Sequence, residues 1–405
     1  MESKLLTGIQ ALVDIQRQWN ALWLRSDVTY PGVRAENLAH WMQQFETDRE
    51  LKLATVWDQE RLVAALPLHD KVGKFGMPIW SLTCNCWADA GDVMLDQEYP
   101  SEDLCDALVN ALGTDVWNLL KLGSIAVETP RWQSFIGALR SKGHRLRESV
   151  GDAIALTDVL HDWPAYQASW SRNHRAAVKK SIKRLKSMGD LQAECFRTGE
   201  EAELNSILEA CFLVEDRTWK GENGTSIVKS DMQDYFHEEA RIMMQNEMLH
   251  LWQLKLDDQL IAFEYCPVAK GVVYSNKISF DPDHSRNSPG NVLRFFQHEF
   301  YQQQSQYHLF DMMGITCKNK AKWSTRVYAT GNVTAAKGIR GNVALALANW
   351  SKPPVSEVEE LPPLGARSYL ETASSQSAPD HEQPPVAIAI DLGPTTDSSN
   401  PPVGS

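Results

Sequence analysis

The sequence predicts a mixed α/β fold made of two related domains and a disordered tail. Strand-like and helix-like stretches alternate through residues 1–350, two hairpins of matching pattern lie about 200 residues apart, and the composition changes abruptly at Ser351.

In the first half, Leu38, Trp41, Met42 and Phe45 fall at helical spacing, and so do Leu204, Ile207, Leu208, Cys211 and Phe212 in the second. "LKLATVW", "RLVAALPL", "LHLWQLKL", "QLIAFEYC" and "VVYSNKISF" read as strands, each bounded by turn or charged residues. The hairpins are "VWDQERLVAALPL" (Val56–Leu68) and "KLDDQLIAFEYC" (Lys255–Cys266). Each has a strand, an acidic turn and a return strand opening Leu-Val-Ala or Leu-Ile-Ala, with turns that differ by one residue. A helix precedes each, and a strand with glycine and aromatic residues follows. This echo predicts a duplicated domain: residues 1–160, then 161–350, then a tail from 351 to 405.

The tail holds more than half of the prolines and little apolar content, so it is expected to stay disordered apart from the short run "VAIAI". Its eight acids against Lys352 and Arg367 carry half of the chain's formal charge of -12. The mild acidity of the rest argues against nucleic-acid binding by the whole surface. With 405 residues, 43% of them hydrophobic, the chain has enough material for large cores. Seven scattered cysteines without a Cys-x-x-Cys pair fit a reducing compartment and ordinary buried thiols. Neither a signal peptide nor a membrane-spanning run is visible, so the cytoplasm is the expected location. No metal is expected: the histidines form no H-E-x-x-H, and His237-Glu238-Glu239 reads as a wet helix face.

Between the halves, residues 172–187 form a basic amphipathic helix. Val178, Ile182 and Leu185 make its apolar stripe, and Arg172, Arg175, Lys179, Lys180, Lys183, Arg184 and Lys186 cover the remainder. It is either a solvated face at the domain junction or a docking surface for an anionic partner.

The second half continues as strand "GVVYSNKISF", loop "DPDHSRNSPG", helix "NVLRFFQHEFYQQQ" and strand "YHLFDMMG". Val292, Leu293, Phe296 and Phe300 give the helix one apolar face, which fixes where its first turn points. The first amides of a helix have no internal partners and the macrodipole adds positive potential, so an anion is favoured there. Pro289 gives up no needed N–H, Gly290 allows close approach, and Arg286 adds a positive charge. Ser288, Gly290, Asn291 and Val292 complete this candidate phosphate corner; taken alone, Ser-Pro-Gly could equally be a plain helix cap.

"R-x-x-P-G-x-x-L" in this loop, "DMMG" (Asp311–Gly314), "KNKAKW" (Lys318–Trp323) and "TWKG" (Thr218–Gly221) together resemble the GNAT superfamily of acyltransferases. The resemblance is closest to the tandem-domain acetyltransferases associated with bacterial cellulose and exopolysaccharide synthesis, relatives of the peptidoglycan-bridge aminoacyl transferases. It implies two tandem GNAT-like domains, each a mixed, mostly antiparallel sheet flanked by helices. It also implies an N-acyltransferase with acyl-CoA as co-substrate and an amine or hydroxyl acceptor, a small molecule, glycan or peptide. Asp311, at the end of a strand beside the cleft, is the first choice as base, with capping of the following turn as its structural alternative. Tyr274 and Lys277, three apart on one strand, should point to opposite faces, with Tyr274 the better choice to face the ligand. Trp219 and Lys220 are expected to end a long helix, Trp219 as wall and Lys220 as a steering charge. Glu215, Asp216 and Glu264 are further acids near the expected cleft. Many relatives carry Tyr-Lys where this chain has Cys317-Lys318, so water, Cys317 or Lys318 would have to supply the proton for the leaving thiolate in place of a tyrosine. The first half has only "GMPIWSLTCNCW" in place of the phosphate motif, and reads as a degenerate domain shaping the acceptor cleft.

Three alternatives share these residues. An acidic acyl carrier protein could bring the acyl group to the basic helix, an aminoacyl-tRNA could replace acyl-CoA, or the chain could be a decayed scaffold in polysaccharide assembly.

Overall fold

The structure, a computed structural model, describes residues 1–73, 76–351 and 362–370. The first half runs β1 (Glu2–Thr7), α1 (Gly8–Asp14), α2 (Gln16–Arg25), α3 (Ala35–Phe45), β2 (Leu51–Asp58), β3 (Arg61–Val72), β4 (Pro78–Leu82), β5 (Met94–Leu95), α4 (Ser101–Leu112), β6 (Leu119–Ile125), α5 (Pro130–Ser141) and β7 (Arg145–Asp158). The second runs α6 (Trp163–Ser169), α7 (Arg172–Lys186), β8 (Leu191–Phe196), α8 (Glu201–Asp216), α9 (Trp219–Glu222), α10 (Gln233–Gln245), β9 (Leu249–Leu256), β10 (Gln259–Ala269), β11 (Val272–Tyr274) and β12 (Lys277–Phe280). It closes with α11 (Pro289–Gln302), β13 (Leu309–Ile315), α12 (Lys318–Ala321), β14 (Arg326–Ala336) and α13 (Gly338–Ser351).

The two halves repeat one plan. β1-β2-β3-β4-β6 in the first corresponds to β8-β9-β10-β11-β13 in the second. In both, three antiparallel pairings are followed by one parallel pairing, β4 with β6 and β11 with β13. The repeated hairpins are β2–β3 and β9–β10. Their turns do not differ in length as expected: both have two residues between the paired positions Asp58↔Arg61 and Leu256↔Gln259. The offset lies instead in bulges, at Val56/Trp57 in one and Leu260/Ala262 in the other. Asp257 and Asp258 both take positive φ, the geometry a tight two-residue hairpin requires.

The halves share one sheet because they exchange their closing strands. β7, the last strand of the first half, lies against β13 of the second, and β14, the last of the second, lies against β6 of the first. β7 and β14 then pair with each other along most of their length.

Among the described residues three large apolar clusters cover this sheet, with a small fourth at Ile79, Leu119, Ala336 and Leu345. One, around Leu104, Trp117 and Phe135, packs α4 and α5 on the first half. Another, around Tyr166, Leu293 and Trp323, packs α6 and α11 on the second. The third belongs to both, joining Trp19, Trp23 and Trp41 to Phe212, Tyr235 and Phe236. Lys270, at the β10–β11 turn, reinforces this junction. Its ammonium donates to the carbonyls of Trp23, Ser26 (2.8 Å) and Val28 (2.9 Å), at and just beyond the C-terminal end of α2.

Within the sequence's tail, residues 362–370 pack on the second half. Ala366 and Tyr369 are buried, and the Tyr369 hydroxyl donates to Gln302 Oε1 at 3.0 Å. "VAIAI" lies outside the described residues.

Candidate functional site

β11 and β13 run side by side only as far as Tyr274↔Asp311, where the Ser275 N–H donates to the Asp311 carbonyl at 2.8 Å. Beyond that point they part. The Asn276 N–H turns to Tyr265 O (3.1 Å) and β12 follows β10, while β13 bends through Met313 and Gly314, both at positive φ, toward β7. A notch in the sheet results, and both walls carry polar side chains.

The notch adjoins a cavity of about 730 Å³ enclosed by both halves. The first half contributes Thr29, Tyr30, the loop Cys84–Asp89, Asp92 and Arg131; the second contributes Tyr274, Lys277, Asp311, Arg326 and Tyr328. That Tyr274 and Lys277 share it corrects the expectation of opposite faces. Alternation needs a continuous strand, and Ser275-Asn276 interrupts this one.

Asp311 is the chemical centre of the wall. Its Oδ1 accepts the Met313 N–H at 2.8 Å and its Oδ2 accepts the Tyr328 hydroxyl at 3.0 Å. The turn-capping role and a position open to a ligand therefore coexist. Burial raises its carboxyl to about 6, against the opposing pull of the Met313 amide and the Tyr328 hydroxyl. Asp89 faces the same space and is also raised to about 6, by burial first and then by the charge of Asp92. Tyr274 shares a short hydrogen bond with the Thr29 hydroxyl and meets the Tyr30 ring edge-on, centroids 4.9 Å apart. Burial pushes its phenol upward, as it does that of Tyr328, where the Asp311 charge adds to the effect.

Most of the remaining sequence candidates sit elsewhere. Glu264 is fully buried behind the wall, held by Arg294 (2.8 Å) and the Ser275 hydroxyl, and does not line the cavity. Lys220 is spent on Glu215 Oε1 at 2.5 Å and Ile278 O at 3.3 Å, so it is no free steering charge. Trp219 is 63% exposed, which corrects its reading as an inward wall: α8 stops at Asp216, and Thr218 caps a separate single turn that turns the indole outward. Lys318 is exposed at the start of α12, away from the cavity. Cys317 before it is exposed as well, and Cys86 lines the cavity, so the thiols are not uniformly buried. Glu239 is buried and accepts from Tyr235 (2.9 Å) and Tyr265 (3.0 Å), which corrects its reading as a wet helix face.

The phosphate corner lies beside the cavity's lining rather than in it. Ser288 takes a left-handed conformation (φ 49°), and its carbonyl accepts the amides of Asn291 (3.0 Å) and Val292 (3.2 Å). Val292 is wholly buried in the core, Gly290 and Asn291 are half-exposed, and Arg286 is exposed. A Cβ on Gly290 would meet Phe280 at 3.6 Å and Ile278 at 3.9 Å, ordinary contacts, so the corner is not sealed by side chains. α7 packs against this loop and against α11, with its lysines exposed.

Tyr328, Tyr30, Asp89 and Arg131 were not singled out by the sequence. Tyr328 comes from the exchanged strand β14, and the other three from the first half, so no local spacing connects them to Asp311. Among the described residues, no group of three or more His, Cys, Asp or Glu side chains is arranged to hold a metal ion.

Residues 172–321 match the family described as acetyltransferase (GNAT) domain. Among solved structures, FemX is 11% identical with a TM-score of 0.59, the match covering 86% of this chain and 99% of that one. The C-terminal domain of a proposed lysylphosphatidylglycerol synthetase from Agrobacterium fabrum is 14% identical, with a TM-score of 0.50 and the same coverage. At these identities the likeness is one of fold. No curated protein sequence matches the chain.

Proposed function

We propose that the chain is an N-acyltransferase that joins an acyl thioester, acyl-CoA by preference, to an amine bound in the cavity between its halves. The observation that carries this reading is Asp311. It is a carboxylate poised near neutrality, at the point where two parallel strands part, facing a cavity able to hold an acceptor.

An amine of the lysine type is protonated in neutral water, with a pKa near ~10.4, so it must lose a proton to attack. Asp311, ionised above about pH 6, accepts that proton directly or through a water. The nitrogen bonds to the acyl carbon, the carbon–sulfur bond breaks, and the thiolate leaves to be protonated by solvent. Tyr328 holds the Asp311 carboxylate by a hydrogen bond, while Tyr274 and Tyr30 wall the space in which the nitrogen must be oriented. The notch between β11 and β13 is the route for the acyl arm. The half-exposed start of α11, with Arg286 and the α7 lysines, supplies positive potential for its phosphates.

That same basic corner supports a second reading of the donor, in which the acyl group arrives on an acidic carrier protein or an aminoacyl-tRNA. A setting in exopolysaccharide or cell-envelope metabolism, in the cytoplasm, is part of this proposal and rests on the sequence resemblance. Among the described residues, no helix is long and apolar enough to cross a membrane.

The test is turnover. Purified protein is given a panel of acyl-CoA thioesters and primary amines, with free thiol release as readout. Release that needs both substrates and is lost in Asp311→Asn supports the reading; no release with any donor, including carrier-bound and tRNA-bound ones, overturns it.

A further inference from the structure

Three cations line the cavity: Arg131, Arg326 and Lys277. Two are neutralised by carboxylates in direct contact. Arg131 holds Asp92 (2.8 Å) and Asp27 (3.0 Å), and Arg326 holds Asp158 at 3.0 Å. Among the described residues, Lys277 has no carboxylate within ion-pair distance, and charges act on it from Glu215, Glu239 and Lys220 farther off.

Its surroundings account for this. The ammonium lies over the Trp87 ring, 4.9 Å from the centroid, and 5.2 Å from that of Phe236. The acids nearest in charge are engaged elsewhere: Glu215 by Lys220 and the Ile227 amide, Glu239 by Tyr235 and Tyr265. Aromatic faces attract a cation but leave its N–H donors unfilled. The burial of Lys277 lowers its affinity for the proton, so a cation here gains from any anion that enters.

In the same cavity Asp311 presents a carboxylate that favours a positive group, while Asp89 lies near enough to Lys277 for the two charges to act on each other without a direct ion pair. The cavity therefore has an acidic region suited to an amine and a basic point suited to an anion. Resting on the acceptor reading given above, we propose that Lys277 is a specificity residue that binds a carboxylate of the acceptor. The acceptor class is then an amino acid or a molecule ending in one, its reacting amine toward Asp311 and its carboxylate over Trp87.

The experiment compares matched pairs that differ only in the carboxylate: L-lysine with 1,5-diaminopentane, and 6-aminohexanoate with hexylamine. Binding of each to the full chain is measured by calorimetry, for wild type, Lys277→Met and Lys277→Arg, with a melting curve for each variant. The carboxylate members are expected to bind wild type roughly tenfold or more tighter, the range for a hydrogen bond to a charged group. That preference should vanish in Lys277→Met, with amine binding unchanged, and return in part in Lys277→Arg. Equal binding within every pair, no binding by any carboxylate member, or a preference that survives Lys277→Met overturns the proposal. Thiol release measured in parallel separates the two readings: a Lys277-dependent preference without acyl transfer would leave this site standing and sink the transferase.

Discussion

The hydroxyl of Tyr328, on a strand that ends the second half, donates to Oδ2 of Asp311 at 3.0 Å, and β14 reaches that place only because the halves exchange strands. The site is thus built by the exchange itself, and both residues can be interrogated.

Asp311→Asn should lower kcat by about 10²–10⁴-fold, the usual worth of a positioned base, while raising stability at neutral pH. The sign follows from the raised carboxyl. The folded state holds the proton up to about pH 6, whereas the unfolded chain releases it near 3.8. The stability this group contributes is full below the lower value and lost as pH rises through the higher one. At pH 7.5 the ionised group costs up to about 3 kcal/mol, part of which asparagine recovers. Melting temperatures at pH 7.5 and 4.5 check this: a gain at the first that shrinks to about a third at the second is expected, since pH 4.5 lies between the two values.

Tyr328→Phe removes a donor that stabilises the Asp311 carboxylate, so the carboxyl should titrate higher still. The acid limb of the kcat/KM profile, expected near pH 6 in wild type, should move to higher pH. A simple loss of rate at every pH, with no displacement of the limb, would assign Tyr328 to packing instead.

Lys270→Met should destabilise the chain by about 1–3 kcal/mol, because three carbonyls at and just beyond the end of α2 lose a charged donor in a partly buried place. Urea unfolding measures it. Activity per folded molecule should change little, since Lys270 does not line the cavity.

Neither half should fold alone. Residues 1–160 would leave β6 without β14, and residues 161–350 would leave β13 without β7, each an exposed sheet edge. Expressed separately, the halves are expected in the insoluble fraction, and expressed together they should recover a soluble complex.

The plan of each half was legible because amphipathic period is a local property. The helix beginning at Pro289 and the strands Leu249–Leu256 and Gln259–Ala269 lie where their apolar spacing puts them. The repeated hairpins correctly pointed to a duplicated plan. The place of Asp311 in the cavity wall was legible from the apolar run and glycine of "YHLFDMMG", although the strand does not end there as expected but runs on to Ile315. Tyr328, Asp89 and Tyr30 were not, because a contact between exchanged strands or between halves leaves no trace in spacing. Lys277 was assigned to the wrong face for a related reason: the pattern "VVYSNKISF" is strand-like throughout, and the break at Ser275-Asn276 exists only because Asp311 and Tyr265 draw the backbone two ways. Trp219 misled because Thr218, a good cap, ends one helix and starts another.

The position of the bound donor decides most directly between an acyltransferase and any other role for this fold. A crystal structure of the chain with a non-hydrolysable thioether analogue of acetyl-CoA would show it. The prediction is an acyl carbon in the notch beyond Tyr274 and Asp311, with phosphates against the Gly290 amide at the start of α11, the Asn291 amide being taken by the Ser288 carbonyl. An analogue bound with its acyl end outside that notch, or a notch left empty at saturating analogue while carrier-bound donors also fail to react, would contradict it.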